Sequence, residues 1–167
     1  MTTSPRRHLR RLRPLRTAAA VLLAAAPAAP AVELLRSPDA PPATGAQLVL
    51  ERTNAARADA GCAPLTESAA VTATAAAHSA EMAATGVLTH VGLDGSSHRV
   101  RLAAGGVQAP RTAENVAQGY DAASVVDAWL ASPGHRANIL DCTLTLVGIA
   151  EAAGTDGPYW TQVFAGS

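Results

Sequence analysis

Every aromatic side chain of this 167-residue chain lies between Tyr120 and Phe164. Tyr120, Trp129, Tyr159, Trp160 and Phe164 must therefore supply most of the bulky apolar surface that a core can bury. The earlier segments are rich in alanine, whose single methyl buries little area. Any stable fold has to put its main hydrophobic density in the C-terminal half and use the preceding segments as walls around it.

Within that half, Leu144 to Glu151 alternates, with Leu144, Leu146 and Gly148 on one side and Thr145, Val147 and Ile149 on the other. Tyr159 to Phe164 matches it across a turn containing Gly154, Asp156, Gly157 and Pro158, which predicts a hairpin with a loop longer than the minimum. Upstream the period is helical. Gln47 to Ala60 is expected to bury Leu48, Val49, Ala55, Ala56 and Ala60, with Glu51, Arg52 and Asp59 outside and Gly61 ending the helix. A second helix opens at Thr66 and Glu67 and runs to about Ala84, with Ala69, Ala73, Ala76, Ala77, Ala80 and Ala84 as its inner face and Gly86 as its stop. His78 and Glu81, three apart, read as a surface pair on its flank. Ser96 caps a short helix from Ser97 to Ala104, ended by Gly105 and Gly106. Residues 107–112 read as a loop, and Glu114 to Ala117 as a short extended segment.

Asp121 is placed to cap a third long helix reaching Ala131, with Val125, Val126, Trp129 and Leu130 as its apolar stripe. Ser132 as N-cap and Pro133 at the first position start a new short helix through about Ile139. Helices come first and strands late, which predicts an α+β fold with an antiparallel sheet and helices packed on it.

Residues 1–31 read as a secretory signal: a basic start around Arg6, Arg7, Arg10 and Arg11, an apolar run from Ala18 to Ala26, and the small residues Ala29-Pro30-Ala31. Residues 32–44, with Pro38, Pro41 and Pro42, read as a flexible linker, and 45–167 as one domain. Pro27 and Pro30 cut the apolar run short of a spanning helix, so no stable membrane span is expected after processing. Six of the 13 Arg fall in the first 16 residues and all 13 acidic residues follow them, so the processed chain is acidic. That excludes the basic footprint that nucleic acid or an anionic membrane requires. The localisation expected is secreted or cell-wall associated, as a monomer. In an exported chain the two Cys, Cys62 and Cys142, are expected to form one disulfide.

Three polar residues stand at breaks between regular elements, where sites are carried: His90, Glu114 and His135. His135 would be the third residue of its short helix, where the helix N-terminus disfavours imidazolium and keeps the ring neutral. Ser132 is a poor nucleophile if its hydroxyl caps that helix. No Gly-x-Ser-x-Gly elbow, His-Glu-x-x-His helix, phosphate-binding glycine loop or Cys-x-x-Cys pair is present. His98 reads as an exposed residue.

Several stretches occur in an order that resembles bacterial CAP (SCP-like) domains. They are Leu50-Glu51-Arg52-Thr53-Asn54 with Arg57, Ala77-His78-Ser79-Ala80-Glu81-Met82-Ala83, Thr89-His90 before Asp94-Gly95, Ala113-Glu114-Asn115-Val116-Ala117, Trp129 with Ser132-Pro133-Gly134-His135-Arg136-Ala137-Asn138-Ile139-Leu140, and Tyr159-Trp160-Thr161-Gln162-Val163-Phe164. The family includes cysteine-rich secretory proteins, venom antigen five and plant pathogenesis-related proteins. The resemblance implies secretion and an α-β-α sandwich, with a central antiparallel sheet between helical layers. It also implies a cleft with two His and two acidic residues that binds zinc or other divalent ions in some members. His90 and Glu114 match the first His and first acid. Ser132 stands at the second acidic position and Tyr159 at the second His, and His135 fills the gap. The expected cleft is therefore His90, Glu114, Ser132, His135 and Tyr159, with His90, His135 and Glu114 as the ligands for Zn2+ or another divalent cation.

Three functions follow as expectations. One is a secreted module binding a small ligand, lipid, cell-wall fragment or protein partner. The second is a metal-dependent hydrolase using His90, Glu114 and His135. The third is a structural module whose polar cluster ties loops together. The absence of a recognisable nucleophile favours the first.

Overall fold

A computed structural model describes residues 44–166. The signal and nearly all of the linker lie outside the described residues. Thr44, placed in the linker by sequence, belongs to the domain: it caps helix α1 (Gly45–Asp59) through a reciprocal box with Gln47.

The inner stripe of α1 is Val49, Thr53 and Arg57, while Ala55 and Ala60, expected inside, are exposed. Polarity did not keep Thr53 and Arg57 out, because the donors of these two side chains find acceptors. The Thr53 hydroxyl donates to the Val49 carbonyl and accepts from the Gln162 amide. The Arg57 guanidinium donates to the carbonyls of Ala63, Ile139, Asp141 and Leu144. Thr66 and Glu67 form a short strand, β1, rather than opening a helix.

Helix α2 (Ala69–Thr85) also faces the other way from its alanines. Val71, Thr74, Ala75, His78, Ser79 and Met82 are buried, and all six alanines expected inside are exposed. The buried stripe holds the larger side chains and therefore the greater area. Helix α3 (His98–Ala104) follows, with Ser97 rather than Ser96 in the N-cap position.

Strand β2 (Arg111–Gln118) is longer than the short segment expected and takes up part of the predicted loop. Asp121 caps a turn rather than a helix, accepting from the Ser124 amide, and helix α4 spans only Val125–Ala131. Helix α5 (Pro133–Ile139) begins at Pro133 as predicted. Strands β3 (Leu144–Gly154) and β4 (Gly157–Gly166) form the hairpin, but Gly154 pairs directly with Gly157 across a two-residue turn. Gly157, which follows the turn residues Thr155 and Asp156, has φ +102°, a conformation open to glycine.

The sheet order is β1-β3-β4-β2, antiparallel except for the β1–β3 pair. An irregularity between Leu144 and Leu146 breaks the simple alternation read from sequence. Helices α1, α4 and α5 cover one face through Val49, Val126, Trp129 and Ile139 against Val147, Trp160 and Phe164. Helices α2 and α3 cover the other through Val71, Ala75 and Leu102 against Ala150 and Val163. The fold is an α-β-α sandwich, and β3 and β4 are buried on both sides.

Strand β2 forms one edge of the sheet, and side chains close it. The Asn138 amide donates to the Glu114 carbonyl, and the Trp129 indole N–H to the Val116 carbonyl. These bonds satisfy edge groups that would otherwise invite another strand. They also bring α4 and α5 against the strand that carries Glu114.

A polar candidate site at the edge of the sheet

Register places Glu114 opposite Val163, on the face covered by α2 and α3. Its carboxylate is only 1% exposed, and both oxygens are occupied. Oε2 accepts from Arg101 Nη2 at 2.6 Å, and Oε1 accepts from His90 Nδ1 at 2.9 Å. A carboxylate can only accept here, so the bond fixes the proton on Nδ1 and leaves His90 Nε2 without a protein partner among the described residues. The His90 side chain is 51% exposed. Burial works to raise the Glu114 pKa, but the His90 hydrogen bond and the Arg101 charge outweigh it, so the group stays below the usual glutamate value.

The loop that carries His90 is pinned from below. His78 is buried inside α2, not on its surface, and its Nε2–H donates to the Thr89 carbonyl at 2.8 Å. Its Nδ1 faces Glu81 Oε2 at 3.3 Å. Arg101 Nη1 donates to the carbonyls of His90 and Ser96. The guanidinium thus holds both the loop and the carboxylate beneath it.

His135 approaches from the opposite helical layer, around the edge of β2. Its ring centroid lies 6.4 Å from that of His90. Burial depresses its pKa, and the nearby His90 adds to the effect. Both effects favour the neutral ring, the same direction as the helix terminus. Ser132 occupies the N-cap position with no capping bond from its hydroxyl, so that group is not tied up as expected. Ser132 and His135 line a cavity of about 240 Å3 whose other walls include Leu88, Val116, Tyr120 and Trp129.

Tyr159 does not line this cleft. It is fully buried between Met82 and Val116, and its hydroxyl finds no partner. The odd-numbered residues of β4 point to the α2 side, which takes Tyr159 into the core. His98 is half-buried rather than exposed. Burial lowers its pKa, partly opposed by Glu114.

The ligand set expected for zinc does not fit this arrangement. Catalytic zinc takes three protein ligands and structural zinc four. With both Glu114 oxygens engaged, two imidazoles remain. Among the described residues no three His, Cys, Asp or Glu are grouped to hold a metal. Glu114 serves His90 as an orienting partner instead.

Sequence reading gave Arg101 no role, because it falls in no motif and its contact with Glu114 is tertiary. It also missed the layer beneath the site. Asn115 donates to Gln162 Oε1 and to the His135 carbonyl, and Asn138 donates to Asn115 Oδ1. The only signal for these amides was their place beside Glu114 and three residues after His135.

Cys62 and Cys142 form a disulfide across 80 residues of chain. No described helix is long and apolar enough to cross a membrane.

Residues 50–164 match the sequence model of the CAP, or cysteine-rich secretory protein, family. The uncharacterised membrane protein YlbC of Bacillus subtilis is 33% identical over 122 residues, which are 72% of this chain and 34% of YlbC. This chain therefore spans about a third of that relative. A solved extracellular protein containing a SCP domain from Bacillus anthracis superposes with TM-score 0.67 at 26% identity, over 74% of this chain and 40% of that one. An outer surface protein of Borrelia burgdorferi superposes with TM-score 0.69 over 73% of this chain and 92% of its own, and at 19% identity that likeness carries the fold alone. With the family match covering most of the chain and the sandwich shared with solved SCP domains, this chain belongs to the CAP, cysteine-rich secretory protein, family.

Proposed function

We propose that this CAP domain is an exported binding module. Its ligand has an apolar body, seated beside Trp129, and a hydrogen-bonding head held between His90 and His135. A lipid, a cell-wall fragment or a side chain of a protein partner can each supply that chemistry. The single observation that carries the reading is the division of labour at Glu114. A buried carboxylate gives both oxygens to Arg101 and His90, and so presents an oriented, half-exposed imidazole near a second, neutral one and an apolar cavity. Export is supported by the basic-then-apolar N-terminal pattern and by the disulfide. The Bacillus anthracis neighbour is an extracellular protein.

A metal-assisted hydrolase would need Glu114 as ligand or as base, and both its oxygens are already bound. The apolar cavity with a polar rim favours binding. Titration with n-hexanol and with sodium hexanoate, followed by Trp fluorescence, tests this. Saturable quenching is expected, weakened about tenfold by Ala128→Leu, which fills the cavity, and by His135→Ala, which removes the head contact. Quenching that never saturates, or equal affinity in all three proteins, would sink the proposal.

A further inference from the structure

Six large apolar side chains are exposed among the described residues, and four of them stand on one loop: Val87, Leu88, Val91 and Leu93, at 54, 45, 55 and 73%. From Gly86 to Leu93 the chain holds no Asp, Glu, Lys or Arg. Apolar side chains gathered on one exposed segment mark an interaction surface. The loop is also held in shape. The Thr89 carbonyl accepts from His78, the Val91 amide donates to the Thr89 hydroxyl, and the His90 carbonyl accepts from Arg101. Gly92 donates to the Ser96 carbonyl and accepts from the Gly95 amide. The apolar side chains are thus presented on a backbone that is already bonded, so contact has little left to order.

Two features identify what the loop enters. The first is that internal bonding. A segment can enter hydrocarbon only where its backbone groups need no water, whereas protein interfaces draw on aromatic side chains and on hydrogen bonds across the contact. The exposed apolar residues of this loop are all aliphatic, and the backbone groups just named are already paired. The second feature is the charge at its rim. Glu81 shares a small recess with Val91 and Leu93, and Asp94 follows Leu93 at the surface. Two carboxylates there repel an anionic surface and attract the ammonium of a zwitterionic headgroup. We infer that this loop docks the domain on a zwitterionic lipid surface. Val91 and Leu93 enter the acyl boundary, and Glu81 and Asp94 stay at the level of the headgroup ammonium. A few aliphatic side chains make a weak, reversible anchor. Leu88, on the same loop, lines the cavity beside Trp129, so the docked face borders that cavity.

The test is flotation of the exported chain with phosphatidylcholine vesicles, beside vesicles in which about a third of the lipid is phosphatidylglycerol. Saturable binding to phosphatidylcholine is expected, little changed by added salt. Val91→Ser combined with Leu93→Ser should weaken it about tenfold. Both positions are exposed, and an unchanged melting temperature shows that the variant is folded. Glu81→Gln combined with Asp94→Asn should strengthen binding to the anionic vesicles about threefold and leave binding to phosphatidylcholine no tighter. Residues before Thr44 are common to all three proteins, so the differences report the loop. Sedimentation without vesicles is expected to give wild type and the serine variant the same mass. Absent binding to phosphatidylcholine, equal binding by wild type and the serine variant, no gain on anionic vesicles from the two amides, or a dimer that the serines dissociate would overturn the inference. None of these substitutions lines the cavity beside Trp129, so failure here leaves the reading of that cleft standing.

Discussion

At Glu114 a single side chain decides how the cleft is built. Removing Arg101 leaves a buried carboxylate short of its cation, and breaking such a pair costs about 3 kcal/mol. Arg101→Leu is therefore expected to lose roughly that much in urea unfolding. His90→Ala should lose about 1 kcal/mol, because the half-exposed site lets water replace the ring. Equal losses in the two variants would mean that Arg101 is not the principal partner. The depressed Glu114 pKa also has a pH signature. An unfolded glutamate takes up its proton near pH 4.3, above the folded group. The stabilisation is full above that pH and is lost as pH falls through the folded value. The stability gap between wild type and Glu114→Gln should shrink below about pH 4.3, measured by thermal melting. His135 acts at higher pH. Its folded pKa is lowered, so the unfolded chain binds the proton first, and stability declines as pH drops below about 6.5. His135→Gln should remove that part of the slope.

At the scale of elements, α2 lies backbone-close on β3. A Cβ added at Gly148 would fall 2.2 Å from the backbone of Val71 and Thr72, so helix and strand could not keep their separation. Gly148→Ala is expected to lower stability by at least ~1–3 kcal/mol in denaturant unfolding, through a forced shift of α2. An unchanged midpoint would show that the two elements yield without loss. The same packing explains which parts of the helices could be read in advance. Their existence followed from spacing, and their ends from Gly61, Gly86 and Pro133. Their faces did not. On α2 alanines lie on both sides, and the seating of Val71, Ala75 and Met82 on the sheet selected the inner one. The hairpin was legible because Leu144 to Glu151 and Tyr159 to Phe164 alternate. Its tight turn was not, because the strands extend through Ala152, Ala153 and Pro158, which carry no alternation.

Across the whole molecule, one covalent and one polar tie hold the ends of the sandwich together. The Cys62–Cys142 bond joins the end of α1 to the approach to β3, and Arg57 donates to carbonyls on both sides of the same junction. Cys62→Ser with Cys142→Ser is expected to lower stability by roughly 2–5 kcal/mol while leaving a folded domain, because Arg57 still spans the gap. A chain without native circular dichroism would show that Arg57 cannot hold the junction alone.

The sequence by itself determined the α+β class, the place of the core around five late aromatics, the family, and the three breaks that carry His90, Glu114 and His135. Each of these rests on local period, capping or motif order. Tertiary structure alone decided that Glu114 belongs to Arg101 as much as to His90, that Tyr159 turns into the core, and that the alanines of α2 face outward. Those outcomes depend on contacts between residues far apart in the chain, set by the register of β2 and β4 and by which helix covers which face of the sheet. No local pattern encodes them.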